Sequence, residues 1–308
     1  MQFHAVLGFG LALLSMVLYG LYMVPRKHCD ISPGLFTFWM GVGILAGSLV
    51  IGLALGGVPH ATGPQIALIF VSGIIWATGS YCYAAAVQSI GLSRSTPIKN
   101  TSAVLGTLIG ILILHEFAFN NPLALSLVVL GSLAVMASAT LLSKAEAPEC
   151  DSLACLDRKA LLRGVLFSLW AAVAYSIYTI PMKQVYEQGV TPYAFLLYMG
   201  VGCFVGMTLL ALVTGVRPGK EAICWRERLL AQSAGLMFAV GSICANVAVQ
   251  KIGVAVTWPL TKNTLVAVLF GVIVLREVDL ARHKSRLVIG VSLSVIGCIL
   301  LALAMLQR

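Results

Sequence analysis

The chain has 308 residues, 59% of them hydrophobic and 10% charged, with a net charge of +9 and a mean hydropathy of +0.97. Soluble domains carry about 25% charged residues, so this composition excludes one and makes the bilayer the solvent of the chain. It excludes a membrane β-barrel as well, because barrel strands alternate polar and apolar residues and the runs here are apolar all round.

A helix crosses the hydrocarbon in roughly 20 apolar residues. Ten runs meet that length, at 4–25, 32–56, 65–88, 97–115, 122–142, 161–182, 192–215, 229–250, 257–275 and 287–307. Helices satisfy their own backbone polar groups without water, so they are the expected spanning element. The first run is expected to stay as helix one. No basic segment precedes it, and it closes on Tyr22-Met23-Val24-Pro25-Arg26-Lys27 instead of a small-residue cleavage site.

The first and sixth runs close alike: Tyr19, Tyr22, Pro25 and Lys27 return as Tyr175, Tyr178, Pro181 and Lys183. Pro33, Met40-Gly41-Val42-Gly43 and Gly47 return as Pro192, Met199-Gly200-Val201-Gly202 and Gly206. Further along, Val87-Gln88-Ser89-Ile90-Gly91, Pro97, Lys99-Asn100-Thr101 and Glu116 match Val249-Gln250-Lys251-Ile252-Gly253, Pro259, Lys262-Asn263-Thr264 and Glu277, with slips of one or two residues. A period of about half the chain divides one membrane domain into a five-helix unit over 1–143, a linker over 144–160 and a second five-helix unit over 161–308. Five is odd, so the second copy must enter the membrane from the opposite side. The expected fold is therefore an all-α polytopic membrane protein with ten transmembrane helices in a 5+5 inverted repeat. Such repeats give secondary transporters alternating access around a midplane site. The alternative is a duplicated scaffold that transports nothing.

Charge placement sets the expected topology. Sixteen of the twenty Lys and Arg fall in the connections after helices 1, 3, 5, 7 and 9, among them Arg26, Lys27, Arg94, Lys99, Lys144, Arg158, Arg217, Arg228 and Arg286. Positive charge is retained on the cytoplasmic side. Both termini are thus expected on the external face of the cell membrane and the 144–160 linker inside. The net charge needs no nucleic-acid partner. Lys183, Lys251, Lys262 and Arg308 break the charge rule. Arg308 is the last residue; the others have two readings, lining a water-filled path where they bind substrate or gate it, or snorkelling to external headgroups.

Pro97 and Pro259 are expected at the first turns of helices four and nine. The free N–H groups there, with Lys99, Asn100, Lys262 and Asn263 close by, are candidate ligands for substrate oxygens. Glu116 and Glu277 fall about 28 Å further on, at 1.5 Å per residue, as helix-end anchors or proton-coupling groups. Tyr22 and Tyr178, Trp39 and Tyr198, and Trp76 and Phe238 are aromatic pairs across the repeat. They suit the apolar faces of a sugar or ordinary packing, while Gln88, Gln250, Asn246 and Ser80 suit its hydroxyls. Gly43, Gly47, Gly106, Gly110, Gly202 and Gly206 follow the small-xxx-small pattern of close helix packing.

No Asp or Glu occupies the middle of any run, which leaves a proton-for-cation drug exporter without its carboxylate. No P-loop or His/Cys cluster supports an enzyme, a metal or a cofactor, and the eight cysteines are read as reduced bystanders.

The Pro25-Arg26-Lys27 and Gly34-Leu35-Phe36-Thr37-Phe38-Trp39 segments, Ile90-Gly91-Leu92-Ser93-Arg94-Ser95-Thr96-Pro97-Ile98 and Leu114-His115-Glu116 together resemble the drug/metabolite transporter superfamily. Within it they are similar to the glucose/ribose porter-like sugar transporters. The resemblance implies solute transport, foremost uptake of a monosaccharide coupled to protons or another ion, with a facilitative carrier as the alternative; a monomer or homodimer in membrane lipid is expected. Other members of the superfamily export metabolites or amino acids.

Overall fold

A computed structural model describes residues 2–56, 60–117, 121–145, 158–217, 223–262 and 280–307. Every regular element among them is helical. In chain order these are α1 (Gln2–Leu21), a 3-10 turn (Val24–His28), α2 (Pro33–Gly56), α3 (Gly63–Ile90), α4 (Leu92–Asn100) and α5 (Ser102–Leu112). There follow α6 (Pro122–Ala145), α7 (Arg158–Ile177), α8 (Thr179–Glu187), α9 (Pro192–Val213), α10 (Trp225–Ile252), α11 (Val254–Thr261) and α12 (Leu280–Leu306). Among the described residues, eight helical stretches are long and apolar enough to cross a membrane; of the ten expected runs, 97–115 is split at Thr101 and most of 257–275 lies outside the described residues. The chain is a multi-pass membrane protein.

Prolines decide where the first and sixth spans break. Pro25 and Pro181 lack the N–H that would serve the carbonyl four residues earlier, and α1 and α7 end at those residues, Leu21 and Ile177. Glycines decide the next reversal. Gly91 and Gly253 have φ of +80° and +83°, where a Cβ is strained. Each ends one long helix, α3 or α10, and starts the next at once, since Ser95 N–H bonds Gly91 O and Thr257 N–H bonds Gly253 O.

This corrects the expected starts of helices four and nine. They begin at Leu92 and Val254, and Pro97 and Pro259 lie inside them. The glycine reversal supplies the start, so the prolines act as interior interruptions. Pro259 leaves the Ala255 carbonyl without its helical donor, and Thr107 Oγ1 on α5 lies 3.2 Å from that oxygen. At Thr101, between α4 and α5, the N–H turns to Ile98 O three residues back.

Helices packed in lipid gain nothing from hiding oil from oil, so close backbone approach is what holds them together. Helices α2 and α9 pack on each other; α10 packs on α2 and α1, while α3 packs on α9 and α7. Gly43 on α2 meets the Gln232 carbonyl of α10, and Gly235 on α10 meets the Met40 carbonyl of α2. Gly202 on α9 meets the Phe70 carbonyl of α3, and Gly73 on α3 meets the Met199 carbonyl of α9. None of the four leaves space for a Cβ. Gly106 and Gly110 of α5 are pressed likewise against Trp258 and Ala255 of α11. Helices α6 and α12 pair at the side of the bundle, where Gly131 and Gly297 face each other.

Candidate functional site

The breaks point aromatic side chains inward. Tyr19 and Tyr175 sit on the last turns of α1 and α7. Each hydroxyl is bonded to a serine of the opposite unit, Tyr19 to Ser242 and Tyr175 to Ser80, both at 2.9 Å. Between them lies the Lys262 ammonium, 4.7 Å from the Tyr19 ring, 5.4 Å from Tyr175 and 4.9 Å from Trp258. Three ring faces around one cation compensate part of its lost hydration. Lys99 lies 4.9 Å over the Tyr83 ring, and the Tyr83 hydroxyl is 2.9 Å from Thr96 Oγ1. Tyr83 belongs to the same buried cluster as Tyr19, Tyr175 and Trp258, so Lys99 and Lys262 both face it. Neither shows a carboxylate partner among the described residues.

The rest of the cluster frames this pair. Trp76 and Phe238 approach to 4.0 Å between ring centres, and Phe238 stacks on Tyr19 at 5.5 Å. Tyr22 packs on Tyr19 and Phe238, and Tyr178 meets the Trp258 ring edge-on at 5.4 Å. Trp258 is itself fixed by its indole N–H, which donates to the Tyr175 carbonyl at 3.0 Å, beside the α7 break. Asn100 is 1% exposed, yet neither polar atom of its amide has a partner. The Asn246 amide nitrogen and the Thr257 hydroxyl are buried and unpartnered as well. Buried polar atoms in native proteins are nearly always paired, so these mark places where water or a ligand hydroxyl fits.

The structure therefore brings together Lys99, Asn100, Lys262, Tyr22 and Tyr178 in and around one buried centre. Lys99, counted with the charged connection after helix three, is instead inside α4 and buried, because that helix begins seven residues before it. Lys262 is not at a headgroup end but inside the ring cage. Other expected residues lie apart. Gln88 and Gln250 are exposed on the last turns of α3 and α10. Trp39 stacks under Arg228 at 4.3 Å, and Tyr198 is half-buried against the core. The Lys27 side chain, Asn263 and Glu277 lie outside the described residues.

Glu116 is the second correction. It is at a helix end but not an exposed anchor, being 5% exposed. His115 adopts φ +48° and turns the chain back after α5, so that Glu116 N–H bonds Gly110 O. The carboxylate then accepts from the Val254 and Ala255 N–H groups, each at 2.7 Å, at the start of α11. Lys183 lies 3.7 Å from it and 4.0 Å from Glu187. Glu116 thus explains a lysine kept against the charge rule. Lys251 is 3.2 Å from His4 Nδ1 at the surface.

Sequence reasoning missed Tyr83, since Ala245 stands at its repeat position and gives no signal. It also left Tyr19, Tyr175 and Trp258 out of the candidate ligands, though their recurrence or place beside Pro259 was visible.

Helices able to cross a bilayer, closed around a buried centre of rings, amides and two lysines, define a membrane protein with a polar site inside it. The chain matches the family described as Sugar transport protein over residues 9–304, and it belongs to that family. Membership places it among transporters, not enzymes. It is 23% identical over 293 residues to a putative sugar uptake protein of Enterococcus faecalis, covering 94% of this chain and 97% of that one. A probable glucose uptake protein of Priestia megaterium is 25% identical over 237 residues, 76% of this chain and 78% of its own. A putative sugar uptake protein of Lactiplantibacillus plantarum is 28% identical over 273 residues, 85% and 88% of the two chains. A solved protein structure superposes with a TM-score of 0.72 at 17% identity, over 97% of this chain and 96% of that one, and shares the fold.

Proposed function

We propose that this protein takes up a monosaccharide by alternating access between two inverted five-helix units, 1–143 and 161–308. The observation that carries the reading is the Lys262 ammonium held among Tyr19, Tyr175 and Trp258; the unpartnered Asn100 amide and Asn246 amide nitrogen, both buried, add to it. Rings cover the C–H faces of a pyranose or furanose, while ammonium and amide groups bond its hydroxyls. The relatives named as sugar or glucose uptake proteins support that substrate class. The inverted repeat is supported by the matched contacts of its two halves: Tyr19 to Ser242 with Tyr175 to Ser80, and Gly43 to Gln232 with Gly202 to Phe70.

The test is uptake of labelled glucose, ribose and rhamnose into proteoliposomes, with and without an imposed proton gradient. Saturable uptake of one sugar is expected, accelerated by an inward proton gradient. Uptake that ignores a protonophore would make the carrier facilitative. No uptake of any sugar, with metabolites or amino acids leaving preloaded vesicles, would replace import by export, and no counterflow of any solute would leave only a scaffold. Both termini are proposed to be external and the 144–160 linker internal. Cys224, exposed before α10, belongs to an internal connection under that topology. Its labelling by an impermeant maleimide outside intact cells would overturn the assignment.

A further inference from the structure

One carboxylate of the first unit holds two elements of the second. Glu116 ends the α5 turn, and its two oxygens each accept a backbone N–H at the start of α11. The same Oε1 lies 3.7 Å from the Lys183 ammonium on α8. Its side chain is 1% exposed. Helix α11 carries Trp258 and is capped at its C-terminal end by Lys262; α8 begins beside Tyr178. Glu116 therefore holds the start of the helix that carries the Trp258 ring to the central cluster.

Geometry makes this contact cooperative and breakable. A carboxylate facing two converging N–H groups and an ammonium satisfies all three only with α5, α8 and α11 in their present places. Charge-assisted bonds of this kind are about twice as strong as neutral ones. The positive end of the α11 dipole favours the same charge. An element with two discrete arrangements is what a gate needs. The neighbouring charged groups are Lys183 and the exposed Glu187 on α8, with exposed His115 next in the chain.

We propose that Glu116 is a positioning residue that latches one end of the transport path, closed while its carboxylate bridges α11 and Lys183 and open once that bridge parts. The proposal rests on alternating access as read above. The sugar touches the central cluster and not the latch.

The experiment uses the full chain in proteoliposomes, with Cys82, Cys150, Cys155, Cys224 and Cys298 replaced by serine, the buried Cys29, Cys203 and Cys244 kept, and one added reporter, Thr257→Cys, placed at a buried hydroxyl that has no partner. Impermeant maleimide is applied from each side in turn, with and without sugar. Glu116→Gln keeps the shape but opposes an amide NH2 to one of the two N–H donors and removes the charge. It is expected to raise reporter labelling from the Glu116 end about tenfold, as for roughly one lost charge-assisted bond, and to leave the other end unchanged or slower. Lys183→Gln, which keeps the α11 bonds, is expected to move labelling the same way by about threefold. It serves if the glutamine variant does not fold. A purely structural role would lower the yield of folded protein without changing the side that is labelled. Side preference equal to the parent's in whichever variants fold overturns the latch. If the parent labels equally from both sides and sugar changes nothing, alternating access fails with it; if sugar shifts the parent and the variants match it, only the latch fails.

Discussion

The two halves of the molecule share a skeleton and differ in their lining. At three pairs of glycines the halves agree: Gly43 and Gly202, Gly73 and Gly235, and Gly91 and Gly253 make the same contacts or turns. At the centre they disagree. The stretch from Gly91 to Pro97 is as long as that from Gly253 to Pro259, so Lys262 stands where the first half has Asn100, Trp258 where it has Thr96, and Tyr83 where the second half has Ala245. A contact without room for a Cβ admits no other residue, whereas a side chain facing a ligand answers to the ligand. A sugar is asymmetric, and a two-fold site would fit it poorly.

The sharpest way to break the comparison is at the shared skeleton. Gly43→Leu and Gly202→Leu are expected to abolish folded, monodisperse protein to equal degree, because displacing a backbone contact costs more than the about 1–3 kcal/mol of an ordinary overpacked core. Gly10→Leu, with open space around it, is expected to leave the size-exclusion profile intact. Unequal yields from Gly43 and Gly202 would mean the crossings are not equivalent.

The next effects belong to the lining, where the halves should part. Lys262→Ala is expected to weaken sugar affinity about thirtyfold, near 2 kcal/mol, and Lys99→Ala about fivefold, since one ammonium is ringed by three aromatic side chains and the other by one. Equal effects, read as apparent affinity in counterflow, would argue for a symmetric site. Trp258→Phe keeps a ring but loses the bond to the Tyr175 carbonyl. It should lower affinity about fivefold, roughly the net value of one hydrogen bond, while Thr96→Ala at the matching position should do less.

The smallest effect returns to what is shared. Tyr19→Phe and Tyr175→Phe each remove one hydroxyl bond to a serine, and each should cost about 1 kcal/mol in thermal unfolding. A large difference between the two would show that one of these bonds is part of the lysine site and not only of the frame.

Much of this was legible in the chain. Long apolar runs announced a helical multi-pass membrane protein, because apolar length acts locally. The starts of α4 and α11 were misjudged because proline is common in a first helical turn, and here a single positive-φ glycine took that role earlier. Glu116 read as an end anchor because counting residues along a helix places its tip but not the helix that lies against it. Its partners, Val254 and Ala255, are more than a hundred positions away in the chain.

The sequence by itself determined the solvent and the helical class, since both follow from hydropathy acting along each run of residues. Only the tertiary structure decided that Lys262 is caged by Tyr19, Tyr175 and Trp258, that Lys99 leaves the charged connection for the core, and that Glu116 closes α11. Those outcomes depend on which helices cross, and a small-xxx-small pattern marks the close-packing face of one helix without naming the helix that lies against it.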